Sequence, residues 1–158
     1  MKKRVLAAGL LGALMSIGGI VLAQKPAPTA PARQTYTVQV YKSPTCGCCA
    51  NWVTHLQKAG FATRVTETED VAGIKAQRGV PARVQSCHTA VVDGYVIEGH
   101  VPAADVQRLL KERPSVVGIA VPGMPIGSPG MEVPGQKPQA YDVVAFDKQG
   151  QTRVFASH

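Results

Sequence analysis

Apolar and polar residues alternate from Thr35 to Tyr41 (TYTVQVY), the period of a strand with one buried face. Ser43-Pro44-Thr45 breaks the alternation and can cap a following helix. From about Cys48 to Ala59 the period lengthens. Cys49, Trp52, Val53 and Leu56 fall on one helical face, and Gly60 supplies the stop. Phe61 to Thr66 (FATRVT) predicts a second strand. Asp70 can cap a short helix over Val71–Arg78, with Val71 and Ile74 inward and Gly79 at its end. Val80 to Ser86 reads as a connector. Thr89–Val92 and Tyr95–Glu98 are strands joined by Asp93-Gly94, a two-residue hairpin turn. A further helix has Pro102 in its first turn, aligns Val106, Leu109 and Leu110, and stops before Pro114. Pro114 to Pro138 carries six prolines and five glycines, which rules out any long element. Val116, Val117, Ile119, Val121 and Ile126 make that stretch apolar enough to wrap the domain as an ordered loop. Ala140–Phe146 and Thr152–Ser157 are strand-like and predict a terminal hairpin. The chain has no internal repeats.

The element order is βαβα-ββα, which favours an α/β domain of the thioredoxin or glutaredoxin type over residues 35–113. Residues 114–158 form a Pro/Gly/Met-rich extension ending in the β-hairpin. In that fold a cis-proline opens the third strand and lies against the active cysteines. Pro81, in Arg78-Gly79-Val80-Pro81, resembles the usual stretch. Counting back from Gly94 instead puts His88 at that place, which brings Cys87 and His88 to face the tip of the first helix.

The start of the chain reads differently. Lys2, Lys3 and Arg4 precede an uncharged apolar run from Val5 to Val21, and Val21-Leu22-Ala23 offers small residues for cleavage before Gln24. The run is short for a spanning helix and contains four glycines and a serine, so residues 1–23 are expected to be a cleaved signal peptide. Only if this segment stays uncleaved would the chain meet a membrane. Residues 24–34 (QKPAPTAPARQ) hold no large apolar side chain and predict a flexible linker. The formal charge is +7; removing three basic residues leaves 14 against 10 acidic ones, or +4. That mild charge, with no basic cluster, argues against nucleic acid.

The candidate chemistry is sulfur. Cys46-Gly47-Cys48-Cys49 places three of four cysteines where a strand gives way to a helix. Unpaired N–H groups and the positive end of the helix dipole favour the thiolate there. Cys46 and Cys49 have the C-x-x-C spacing of thiol–disulfide proteins. Cys48 is a third sulfur that such chemistry does not need. Export would ordinarily suggest two stapling disulfides, but staples are spread along a chain, and a bridge between adjacent Cys48 and Cys49 would be strained. Cys87 is either a fourth soft ligand or a small buried apolar residue. His55 reads as a polar residue on a solvated face. Met124 and Met131, on a glycine-rich loop, either fill gaps or supply thioethers. Thiolates and thioethers select Cu(I), zinc or iron–sulfur clusters, and imidazole also suits Cu(II). The spacing fits neither paired zinc knuckles nor iron–sulfur runs. Crowded sulfurs can bridge metals, which fits a multinuclear Cu(I)–thiolate centre.

Cys46-Gly47-Cys48-Cys49, Ser86-Cys87-His88-Thr89, Gly94 to Pro102 (GYVIEGHVP), Gly123-Met124-Pro125 and Gly130-Met131-Glu132 occur together in one order. In this the chain, from Thr35 to its C-terminus, resembles the CopG family of exported CxCC proteins associated with copper resistance in Gram-negative bacteria. The resemblance implies a periplasmic protein with a thioredoxin-like domain and a C-terminal extension that contributes to the metal site. It implies a cysteine-bridged site for several copper ions and interconversion of Cu(I) and Cu(II) before efflux. Cys46, Cys48, Cys49 and Cys87 carry over as ligands, followed by His88, His100, Met124 and Met131. A periplasmic copper efflux system is the implied partner. Two other readings stay open: a thiol–disulfide oxidoreductase using Cys46 and Cys49, and a copper carrier without redox turnover.

Overall fold

A computed structural model describes residues 35–158. The expected signal peptide (1–23) and linker (24–34) lie outside the described residues. Among the described residues the architecture is mixed α/β: one seven-stranded sheet with three α-helices. The strands are β1 (Thr37–Lys42), β2 (Ala62–Glu67), β3 (Thr89–Val92), β4 (Tyr95–Glu98), β5 (Gly118–Ala120), β6 (Asp142–Phe146) and β7 (Thr152–Ser157). The helices are α1 (Gly47–Lys58), α2 (Val71–Gln77) and α3 (Ala103–Glu112).

The strand order is β2-β1-β3-β4-β5-β6-β7. β1 runs parallel to β2, with Val40 opposite Val65, and antiparallel to β3, with Val40 opposite Ala90. β3 and β4 pair antiparallel across Asp93-Gly94, both at positive φ, as a two-residue turn of this kind requires. β4 and β5 are parallel, and β6 and β7 continue the sheet antiparallel.

Strand alternation sorts the side chains onto two faces. One face carries Val38, Val40, Ala90, Val92, Ile97 and Ile119 and is covered by α1 and α3. α1 buries Cys49, Trp52, Val53 and Leu56, the face its periodicity predicts. The Trp52 indole N–H donates to the Val101 carbonyl at 2.8 Å and ties α1 to the segment before α3. The other face carries Val96, Ala120 and Phe146 over Val80 and Val84. α2 is a thinner attachment: its buried residues are Val71 and Lys75.

Three details differ from expectation. Ser43 and Thr45 do not cap α1. Their hydroxyls lie 3.2 Å apart, the N-cap residue is Cys46, and no side chain accepts from the first turn. The stretch from Pro114 to Pro138 contains a short strand, β5, because Gly118 lets the chain lie against Val96, where an added Cβ would be 2.0 Å from the Val96 carbonyl oxygen. His55 is not simply solvated. Its Nε2 accepts the Ala103 N–H at 3.0 Å, capping α3 from another helix. Among the described residues no helix is long and apolar enough to cross a membrane.

Candidate metal centre

Two structural pieces meet at this end of the sheet: a tip and a wall. The tip is the turn between β1 and α1. The Cys46 N–H donates to the Ser43 carbonyl at 3.1 Å, which reverses the chain and starts the helix. Cys49 lies three residues before Trp52 on the inward face and is fully buried; Cys46 and Cys48 are half-buried. Cys46 and Cys49 are joined as a disulfide, and the Cys48 Sγ lies 3.5 Å from that of Cys46.

The wall is the start of β3 with the loop after β4. Cys87 Sγ is 3.5 Å from Cys49 Sγ, 3.3 Å from His88 Nδ1 and 3.0 Å from His100 Nε2. Both imidazoles are fully buried. His88 packs on Trp52 with ring centroids 4.4 Å apart, and His100 meets His88 edge-on at 5.1 Å. Gly99 makes the approach possible. At φ +70° it adopts a conformation few side chains tolerate, and a Cβ there would come within 2.5 Å of Ser86.

The extension closes over the wall through its backbone. The His100 Nδ1–H donates to the Pro129 carbonyl at 2.8 Å. With Nδ1 holding the proton, the Nε2 lone pair faces Cys87 and accepts from its thiol, a place a cation could take over. Gly130 lies directly on the first turn of α1, where a Cβ would stand 2.8 Å from the Cys48 carbonyl oxygen. The Ser86 hydroxyl donates to the Gly123 carbonyl. Met124 is half exposed on this loop, and Met131 is partly buried one residue beyond Gly130.

The ligand atoms of Cys46, Cys48, Cys49 and Cys87 all lie within 4.8 Å of one another, as do those of Cys87, His88 and His100. Cys87 belongs to both groups. Burial, reinforced by the neighbouring Cys48 thiol, pushes the Cys87 thiol up to about 11. Burial holds His88 well below the usual imidazole range, helped by His100 and Lys75, and lowers His100 too, against the Pro129 hydrogen bond. At neutral pH the imidazoles are therefore uncharged with available lone pairs, and Cys87 keeps its proton until a cation displaces it. The His88 nitrogen that faces the cluster is Nδ1, 3.3 Å from Cys87 Sγ, while the buried Nε2 makes no hydrogen bond of good geometry among the described residues. Four sulfurs and two neutral imidazoles suit a soft cation, provided the Cys46–Cys49 bond is reduced.

Sequence reasoning missed the supports. The Trp52 ring against His88 left no signal beyond a core tryptophan. The Pro129 carbonyl that fixes His100 left none at all. Glu98 did leave one: a carboxylate placed on the same strand face as buried Val96.

Fold and site together define a small mixed α/β protein with a soft-donor cluster between its first helix and its central strands. A family profile described as "Protein of unknown function, DUF411" matches residues 84–131, from the connector through the wall to Met131. Two solved structures, "Copper resistance protein copG" in Form 2 and Form 1, are each 45% identical to this chain. They cover 79% of it and 99% and 98% of their own lengths, with TM-scores of 0.75 and 0.74. No match is found among curated proteins. The chain belongs to the CopG copper resistance protein family.

Proposed function

We propose that this protein is an exported, periplasmic copper-binding protein that interconverts Cu(I) and Cu(II) in copper resistance. Cys46, Cys48, Cys49 and Cys87 bridge several copper ions. His88 and His100 complete the set, and Met124 and Met131 serve at its margin. The observation that carries this reading is the convergence of four cysteine ligand atoms within 4.8 Å. A stapling framework has no use for such crowding. The frame is thioredoxin-like: β2-β1-β3-β4 order, a C-x-x-C opening α1, and His88 just ahead of β3 support that assignment. Copper is the cargo, and a periplasmic copper efflux system is the recipient.

The Cys46–Cys49 disulfide supports a redox role. Its reduced form holds the two electrons needed to convert two Cu(II) to two Cu(I). The two thiols would lose two protons and form one S–S bond. An external dithiol would then reduce that bond and reset the site. The same disulfide favours a second reading, a thiol–disulfide oxidoreductase for which copper is incidental. A copper carrier without turnover is the remaining alternative.

Anaerobic titration of the reduced protein with Cu(I) tests the leading reading. At least one copper per chain and loss of capacity on Cys48→Ser are expected; no binding, or indifference to Cys48, would overturn it. Repeated reversible valence change on alternating oxidant and reductant separates turnover from carriage. Reduction of insulin without copper, independent of Cys48 and Cys87, would favour the second reading. Export is tested by cell fractionation and by a mature N-terminus at Gln24.

A further inference from the structure

Behind the wall lies a polar group that the copper reading does not use. Glu98, at the end of β4, is fully buried. Its Oε1 accepts from Lys75 Nζ at 2.5 Å and from the Ser86 N–H at 2.7 Å. Its Oε2 accepts from the Thr89 hydroxyl at 2.6 Å. Lys75, also buried, reaches over from α2 and donates to the Thr89 hydroxyl at 3.0 Å. One carboxylate thus grips the chain just before Cys87 and just after His88.

A buried ion pair is a poor way to gain stability, because stripping two charges of water offsets their attraction; an apolar pair of similar size does as well or better. Attachment of α2 alone would need only a leucine at position 75. What an apolar pair cannot do is hold the Ser86 N–H and the Thr89 hydroxyl in place. Ser86 and Thr89 bracket two candidate ligands, and Glu98 itself lies two residues before the third, His100. Groups behind the ligands of a metal site characteristically set ligand orientation. We infer that the buried Lys75–Glu98 pair is a positioning device that fixes Cys87 and His88 in the geometry a soft metal ion requires. Glu98 is the positioning residue, and the Lys75 ammonium, 2.5 Å from its Oε1, aims it. The inference rests on the copper reading, but its structural half is tested without copper.

The double variant Lys75→Met/Glu98→Gln removes both charges at nearly constant volume. In metal-free, reduced protein, amide hydrogen exchange at Ser86 should quicken about tenfold or more as its acceptor weakens. Amides of the β3–β4 ladder should stay protected. Cu(I) affinity should fall about 10- to 100-fold, the range for lost support behind a metal ligand. Thr89→Val, a milder change in case the double variant does not fold, should cost about fivefold in affinity. Exchange that quickens evenly over the whole sheet, with no excess at Ser86, would make the pair a general anchor for α2 and overturn the inference. So would wild-type copper affinity in both variants. If the wild type itself binds no copper, the copper reading falls, and exchange at Ser86 alone judges the positioning role.

Discussion

Cys46 and Cys48 sit half-buried on a helix end that no side chain caps, whereas His88 and His100 are fully buried and braced. His100 is tied to Pro129, His88 lies on Trp52, and the segment carrying Cys87 is held through Ser86 and Thr89. On the proposed function the tip would change its ligand count with redox state, since the Cys46–Cys49 bond withdraws two sulfurs at once. The wall contains no disulfide, and Cys87, His88 and His100 lie together beside the closed tip. The proposal thus makes one half of the site switchable and the other preorganised, with Cys87 common to both candidate ligand groups.

The largest expected effect follows from that sharing. Cys87→Ser removes a donor from both ligand groups and leaves a hydroxyl that serves Cu(I) badly. Cu(I) affinity, read by competition with a chelating dye, should fall more than about 100-fold, beyond the range for lost supporting groups. Cys48→Ser should cost less, because the wall survives it. A Cys48 loss equal to or larger than the Cys87 loss would break the comparison. Redox state gives the next effect. Reduced protein should bind more copper than protein with the Cys46–Cys49 disulfide, while the oxidised form keeps a site at Cys87, His88 and His100. Equal stoichiometry in the two forms would mean that the tip contributes nothing.

The same division explains what the sequence made legible. The tip could be read because it is local: three cysteines in four positions, at a change of hydrophobic period, are visible without folding the chain. Cys87 and His88 needed only the position of the Asp93-Gly94 turn. The supports depend on long-range packing that leaves no periodic trace. His100 is oriented by a carbonyl 29 residues on, and Glu98 meets a lysine 23 residues back. The extension is intermediate. Its prolines and glycines argued against any long element and its apolar residues for an ordered wrap, but β5 forms because β4 offers an edge, which composition does not reveal. The methionines could be picked out by type, yet the loop reaches the site through Pro129 and Gly130 backbone atoms.

Acid should weaken the site in two ways. In the metal-free protein Cys87 holds its proton to about pH 11, so binding at neutral pH must expel it. Affinity should fall up to about tenfold per pH unit on that account, and a flat profile from pH 7 to 5 would count against thiolate ligation. The imidazoles act on stability. His88 and His100 titrate below their ordinary value in the folded chain, so the unfolded chain takes up protons first. Stability of the metal-free protein should hold above about pH 6.5 and decline as pH falls through the lower folded values. Replacing His88 by Gln should flatten that decline.

The smallest effect separates fold from chemistry. His55, on α1, accepts the Ala103 N–H at the start of α3, a helix whose N-cap residue, Pro102, offers no side-chain acceptor. Removing a cap of this kind costs about 1 kcal/mol, so His55→Ala should lower the melting temperature by about 4 °C. Burial lowers the His55 pKa, with Glu132 opposing and Lys58 assisting. Protonation would take away the acceptor and set a positive charge against the positive end of α3. The cap therefore contributes above about pH 6.5 and is lost as pH falls through the folded value, so the gap between wild type and His55→Ala should narrow in acid. Copper affinity should not move, because His55 braces the scaffold between tip and wall without entering either ligand group. A tenfold loss of affinity in His55→Ala would show that the wall relies on α3 for its geometry and is less preorganised than its burial suggests.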